Sequence, residues 1–154
     1  MKSEILVGLL TLCIGVVIGI YLPFGSGTVV QPGPEVAATH PPHPMTEVDK
    51  AKPVPEVTVT ADPDAKGGYN IYLNTKNFKF TPEKVGTAAV ANEGHAHVFV
   101  NNVKVGRLYG NWAYVADKAF QPGDNQLEVT LNANDHSEWS LDGKHIGDII
   151  TLQK

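Results

Sequence analysis

The chain has a single cysteine, Cys13, set inside an apolar run, so the residues beyond that run offer neither a disulfide nor a thiolate ligand. That absence excludes a Cys-ligated blue-copper centre and any cysteine zinc finger. A lipidated cysteine is also excluded, because the bulky Leu12 precedes Cys13 and the apolar run continues past it. Basic charge is scarce as well. Between residues 24 and 65 six acids face only Lys50 and Lys52, and from 66 to 154 nine bases meet nine acids. No basic surplus exists to hold phosphates, so nucleic acid is not an expected partner. Proline nearly disappears after Pro63: nine of the eleven lie between Pro23 and Pro63. After residue 24 there is no amphipathic helical pattern and no internal repeat. The chain also lacks a Ser-His-Asp order, a nucleophile elbow and paired acids, so no enzyme is expected.

Three segments follow from this distribution. Ile5 to Leu22 is almost wholly apolar. As a helix these residues would rise about 27 Å, enough to span the hydrocarbon core. Tyr21-Leu22-Pro23-Phe24 offers no small-residue cleavage site, so residues 1–23 are expected to be a retained transmembrane anchor, with a removed signal peptide as the alternative. Lys2 precedes the anchor and no base follows it until Lys50. The positive-inside rule then predicts a single-pass cell-membrane protein with an extracytoplasmic C-terminal domain, periplasmic in a Gram-negative cell. Residues 24–65, rich in proline and acid, are expected to be a disordered, partly polyproline linker. Within them Val57-Thr58-Val59-Thr60 alternates, as either a first strand or linker.

From 66 to 154 the pattern is all-β. Tyr69 to Leu73, Phe78 to Phe80, His97 to Val100, Val103 to Leu108, Trp112 to Val115, Asn125 to Leu131, Trp139 to Leu141 and Ile146 to Leu152 read as short strands. Asn101-Asn102 and Asp142-Gly143 suit two-residue turns, since these residues tolerate positive φ. So many short strands in so few residues predict an antiparallel β-sandwich. Phe80, Phe99, Leu108, Trp112, Leu127, Val129, Trp139 and Ile149 are its candidate core.

Chemistry concentrates in Gly94-His95-Ala96-His97-Val98-Phe99-Val100. Alternate residues of a strand share a face, so His95 and His97 would project side by side and converge on one metal ion. Gly94 permits a bulge or a close backbone approach beside them. His136, in the polar loop Asn132 to Glu138, supplies a third nitrogen, and Asp135 a carboxylate ligand or a hydrogen bond that orients an imidazole. Asp135 is equally suited to capping a turn. Nitrogen ligands with an oxygen suit Cu(II), favoured by its place in the affinity order, or Zn(II). His145 reads as a turn residue, and His40 and His43 as linker residues, with weak capture of metal ions as their alternative role. Exposed imidazoles with an ordinary pKa near 6.5 would release metal as pH falls through about 6.

Glu93 to Asn101 with Val105 to Gly110, then Leu131 to His136, resembles small bacterial extracytoplasmic β-sandwich proteins of cupredoxin-like or copper-resistance-C-like type. In architecture the resemblance spans Tyr69 to Leu152; in motif it covers only the two histidine segments. It lacks the cupredoxin cysteine and a methionine-rich Cu(I) loop. The resemblance implies an Ig-like or cupredoxin-like sandwich that buffers or delivers copper. The alternative, from another class, is an Ig-like interaction module of an envelope assembly, with Tyr109, Trp112 and Tyr114 beside Arg107 facing a protein partner.

Overall fold

The computed structural model describes residues 43–154. The expected anchor, 1–23, and the start of the expected linker lie outside the described residues. Among the described residues no helix is long and apolar enough to cross a membrane.

The strands are β1 (Met45–Glu47), β2 (Glu56–Pro63), β3 (Tyr69–Lys76), β4 (Lys79–Phe80), β5 (Glu93–Val100) and β6 (Val103–Leu108). They continue with β7 (Trp112–Val115), β8 (Asp124–Asn132), β9 (Glu138–Leu141), β10 (Lys144–His145) and β11 (Gly147–Gln153). Apart from two single-turn 3-10 helices, Pro82–Lys84 and Asp117–Ala119, the described residues are all-β. They form two sheets. The larger runs β1-β9-β8-β5-β4, with β10 on β9, β11 on β8 and β6 on β5; the smaller runs β2-β3-β7.

Alternation builds the layer between the sheets. Ala96, Val98 and Val100 of β5 stand directly opposite Leu131, Val129 and Leu127 of β8. These six residues join one buried cluster with Val57, Val59, Ile71, Leu73 and Val115 of the smaller sheet. Each valine, leucine or isoleucine among them contributes about 1.5–3 kcal/mol when taken from water. The odd-numbered partners in β5 turn to the opposite face of the larger sheet. There His95, His97 and Phe99 pair with Asn132, Thr130 and Glu128. The histidines therefore share their strand with core residues but lie outside the inter-sheet core.

Two expectations are corrected. The ordered fold begins well before residue 66. β2 pairs with β3 along its whole length, from Glu56↔Lys76 to Pro63↔Tyr69. β1 pairs in parallel with β9, and Glu47 accepts hydrogen bonds from Ser140 Oγ (2.8 Å) and from the backbone N–H of Asp142 and Gly143. Proline and acid density suggested a tether here, but both strands lie at sheet edges and the prolines at strand ends, where a missing N–H is tolerated. In the candidate core, Trp112 is 67% exposed and Ile149 37% exposed. Their neighbours Ala113 and Val115, and Ile150 and Leu152, take the inward positions instead. The strands and their periodicity are as expected, but the phase is reversed at these two residues.

Both two-residue turns form as expected. Asn101 and Asn102 have φ of 49° and 66°, and Asp142 and Gly143 have φ of 53° and 74°. Positive φ at both central positions matches the right-handed twist of the hairpin strands.

Candidate metal centre

Gly94 makes the site's geometry possible. Its φ of 152° is one that L side chains rarely adopt, and a Cβ added there would stand 1.9 Å from the Asn132 carbonyl oxygen. Only glycine lets β5 begin against the end of β8. The start of β5 is held further by Thr81 N–H on the Gly94 carbonyl (2.9 Å) and by Trp139 Nε1 on the Glu93 carbonyl (3.2 Å).

The third histidine arrives from the loop between β8 and β9. Ala133 N–H donates to the Ser137 carbonyl (2.8 Å) and His136 N–H to the Ala133 carbonyl (3.0 Å), closing a tight turn. Asn134 is fully buried, its side-chain Nδ2 donating to Thr81 Oγ1 at 3.0 Å while its backbone carbonyl accepts Gly86 N–H at 2.7 Å. Asp135 Oδ1 accepts from Ser137 N–H (3.0 Å) and from Ser137 Oγ (2.7 Å). Those bonds, the side-chain one foremost, hold its carboxyl below the ordinary carboxylate range. Asp135 thus takes the turn-capping role. It is exposed and stands outside the cluster of candidate ligand atoms.

The structure brings His95, His97 and His136 together, with one nitrogen of each within 4.8 Å of the other two. His95 Nε2 lies 3.0 Å from His97 Nε2 and 3.2 Å from His136 Nδ1. Around one ion with metal–nitrogen bonds of about 2.0–2.1 Å, adjacent nitrogens stand roughly 2.8–3.4 Å apart for square or tetrahedral angles. Both separations fall in that range. His95 and His97 are 0% and 1% exposed, and the Nδ1 of each is buried without a hydrogen-bond partner. The polar contacts of these two rings are therefore made through Nε2, to the other histidines and, at His97, also to Lys104.

Burial dominates their protonation. It pushes the His95 pKa down to about 4, helped by the positive character of His136, Arg107 and Lys104. It pushes His97 down to about 2, with Lys104 and His95 adding to the effect. His136 is lowered too, by burial and then by Arg107 and Lys104. At neutral pH His95 and His97 are therefore uncharged, each ring keeping one lone-pair nitrogen, the charge state a metal ligand requires. The expectation of ordinary, exposed imidazoles is corrected for this pair.

Several neighbours were not legible as site residues. Lys104 Nζ lies 2.9 Å from His97 Nε2, close enough for the ammonium to donate to it. Lys104 stands opposite Phe99 across the hairpin, which a two-residue turn at 101–102 implies. Arg107 faces His97 only because a register shift between Val98 and Phe99 displaces the pairing by one residue, and no sequence signal marks that shift. The Tyr109 ring centre is 5.7 Å from that of His95, and the His43 ring centre is 5.7 Å from that of His97. His145 is elsewhere: its Nε2 lies 3.2 Å from Glu128 Oε1, and that bond raises its pKa.

Comparison with protein-family models, with curated proteins and with solved structures finds no match to this chain in any of the three.

Proposed function

We propose that this protein binds one divalent metal ion, copper first, through His95, His97 and His136, and that it buffers or delivers that ion rather than transforming a substrate. The convergence of three imidazole nitrogens at 3.0 and 3.2 Å, two of them on buried rings, carries this reading. Neutral imidazole suits both Cu(II) and Zn(II), and Cu(II) lies higher in the affinity order. Three fixed ligands leave the fourth position of a four-coordinate ion to an exchangeable donor, through which the ion can enter and leave. The proposal includes the cell-membrane anchor at residues 1–23 and a periplasmic location for the β-domain, which protease accessibility in intact spheroplasts would test.

The test is calorimetric titration of the full chain in detergent with Cu(II) and with Zn(II), beside a His95→Ala/His97→Ala double variant. The wild type should take up one equivalent, with Cu(II) the tighter, and the double variant should lose that event. Equal binding by both proteins would overturn the proposal.

The interaction-module reading draws on one observation. Trp112 and Tyr114 are 67% and 53% exposed, and Tyr114 with Val105 lines a cleft of about 470 Å³ between β6 and β7, beside Arg107 and Lys118. Exposed aromatics beside arginine are common anchors of protein interfaces. A Trp112→Ala/Tyr114→Ala variant that loses a partner in pull-down while keeping the metal would favour it.

A further inference from the structure

We infer that His43 is the fourth ligand of the metal centre, swinging in from the segment before β1 when the ion binds; this rests on the reading that His95, His97 and His136 hold a metal. Three imidazoles leave a four-coordinate ion one donor short, whether it is tetrahedral or square. His43 is the histidine placed to supply that donor.

Ring spacing is the first argument. Two imidazoles on one ion at about 2.0–2.1 Å have ring centres roughly 4.5–6.4 Å apart, depending on the angle at the metal. Within the cluster the centres stand 4.9, 5.0 and 6.4 Å apart for the pairs His95–His97, His95–His136 and His97–His136. The His43–His97 separation of 5.7 Å lies within the same interval. The His43 nitrogens are not among those that lie within 4.8 Å of one another, so the His43 ring must move before it can bind the ion.

The backbone supplies the second argument. The Pro44 carbonyl accepts the N–H of Glu138 at 2.8 Å, two residues beyond His136. Thr46 Oγ1 lies 2.6 Å from Ser137 Oγ, and Met45–Glu47 pairs in register with Glu138–Ser140. His43 and His136 therefore hang from the same junction. Because Pro44 follows it, His43 is biased to an extended backbone, which reduces the entropy lost when its ring is fixed. Each alternative donor is less suited. Lys104 must lose a proton before it can bind a metal, and Tyr109 would have to ionise.

The experiment is electron paramagnetic resonance of the full chain in detergent with one equivalent of Cu(II), on wild type, His43→Ala and the His95→Ala/His97→Ala variant. Circular dichroism serves as the folding control. Wild type should show four coupled nitrogens. His43→Ala should show three, with Cu(II) affinity lower by about tenfold or more and the fold unchanged. If His43→Ala keeps both the wild-type nitrogen count and affinity, the inference fails and the three-histidine site stands. If wild type shows no nitrogen coupling at one equivalent, both fail.

Discussion

His136 has φ of 71°. A left-handed conformation in a residue other than glycine costs about 1–3 kcal/mol and persists only where surrounding structure enforces it. The turn bonds around Asp135 and Ser137 supply that enforcement and aim Nδ1 at His95. Asparagine tolerates the same backbone. His136→Asn should therefore leave stability within about 1 kcal/mol of wild type in urea denaturation. It should also weaken Cu(II) binding by about tenfold or more in competitive titration, a change of about 1.4 kcal/mol or more. Lys104 acts the other way, since its ammonium donates to the nitrogen an ion would use. Lys104→Met keeps the apolar stem and should tighten Cu(II) binding by about tenfold. The His95–His97 pair was legible because strand parity needs only two residues. His136 was legible as a metal-competent side chain in a polar loop at a strand end. Arg107 was not, since its place depends on a bulge; His43 was legible as a metal-competent side chain, but its place beside the cluster was not, since that depends on a parallel pairing between segments more than ninety residues apart.

At the scale of elements, two groups of histidines act on stability with opposite sign. His95 and His97 have folded pKa values of about 4 and about 2, below the ordinary 6.5, so between those limits the unfolded chain binds more protons. Their favourable contribution is complete above pH 6.5 and is lost as pH falls toward 4 and then toward 2. The urea midpoint of the metal-free protein should drop over that window, and His95→Ala/His97→Ala should flatten the drop. A bound ion should persist at pH 5, because protons compete poorly for these nitrogens. His145 on β10 has its pKa raised by Glu128 on β8, so its contribution is full below 6.5 and is lost as pH rises through the raised value. Gly94 is the structural counterpart at the β5–β8 junction. Gly94→Ala would drive a Cβ into the Asn132 carbonyl and should abolish metal binding while lowering the melting temperature.

For the whole molecule, the sandwich rests on apolar pairs between β5 and β8 and their facing residues on β2, β3 and β7. Leu127 is fully buried among them, and Leu127→Ala should cost about 2–5 kcal/mol in urea denaturation. Strand periodicity and turn chemistry were readable because they are local. What the sequence left undetermined was phase and edge. Alternation at Trp112 to Val115 is equally consistent with tryptophan inside or outside, and only the pairing of β7 with β3 turns Ala113 and Val115 inward. Proline at the ends of β2 likewise resembled a linker until the strand's place at a sheet edge accounted for it. The same sheet that packs its aliphatic face inward presents His95 and His97 on the other, so fold and site share one strand. The most direct measurement is X-ray absorption at the zinc edge of the full chain carrying one equivalent of Zn(II), compared with His136→Asn. The account predicts imidazole scattering from three or more histidines in the wild type and one fewer in the variant. An unchanged imidazole count in His136→Asn would contradict it.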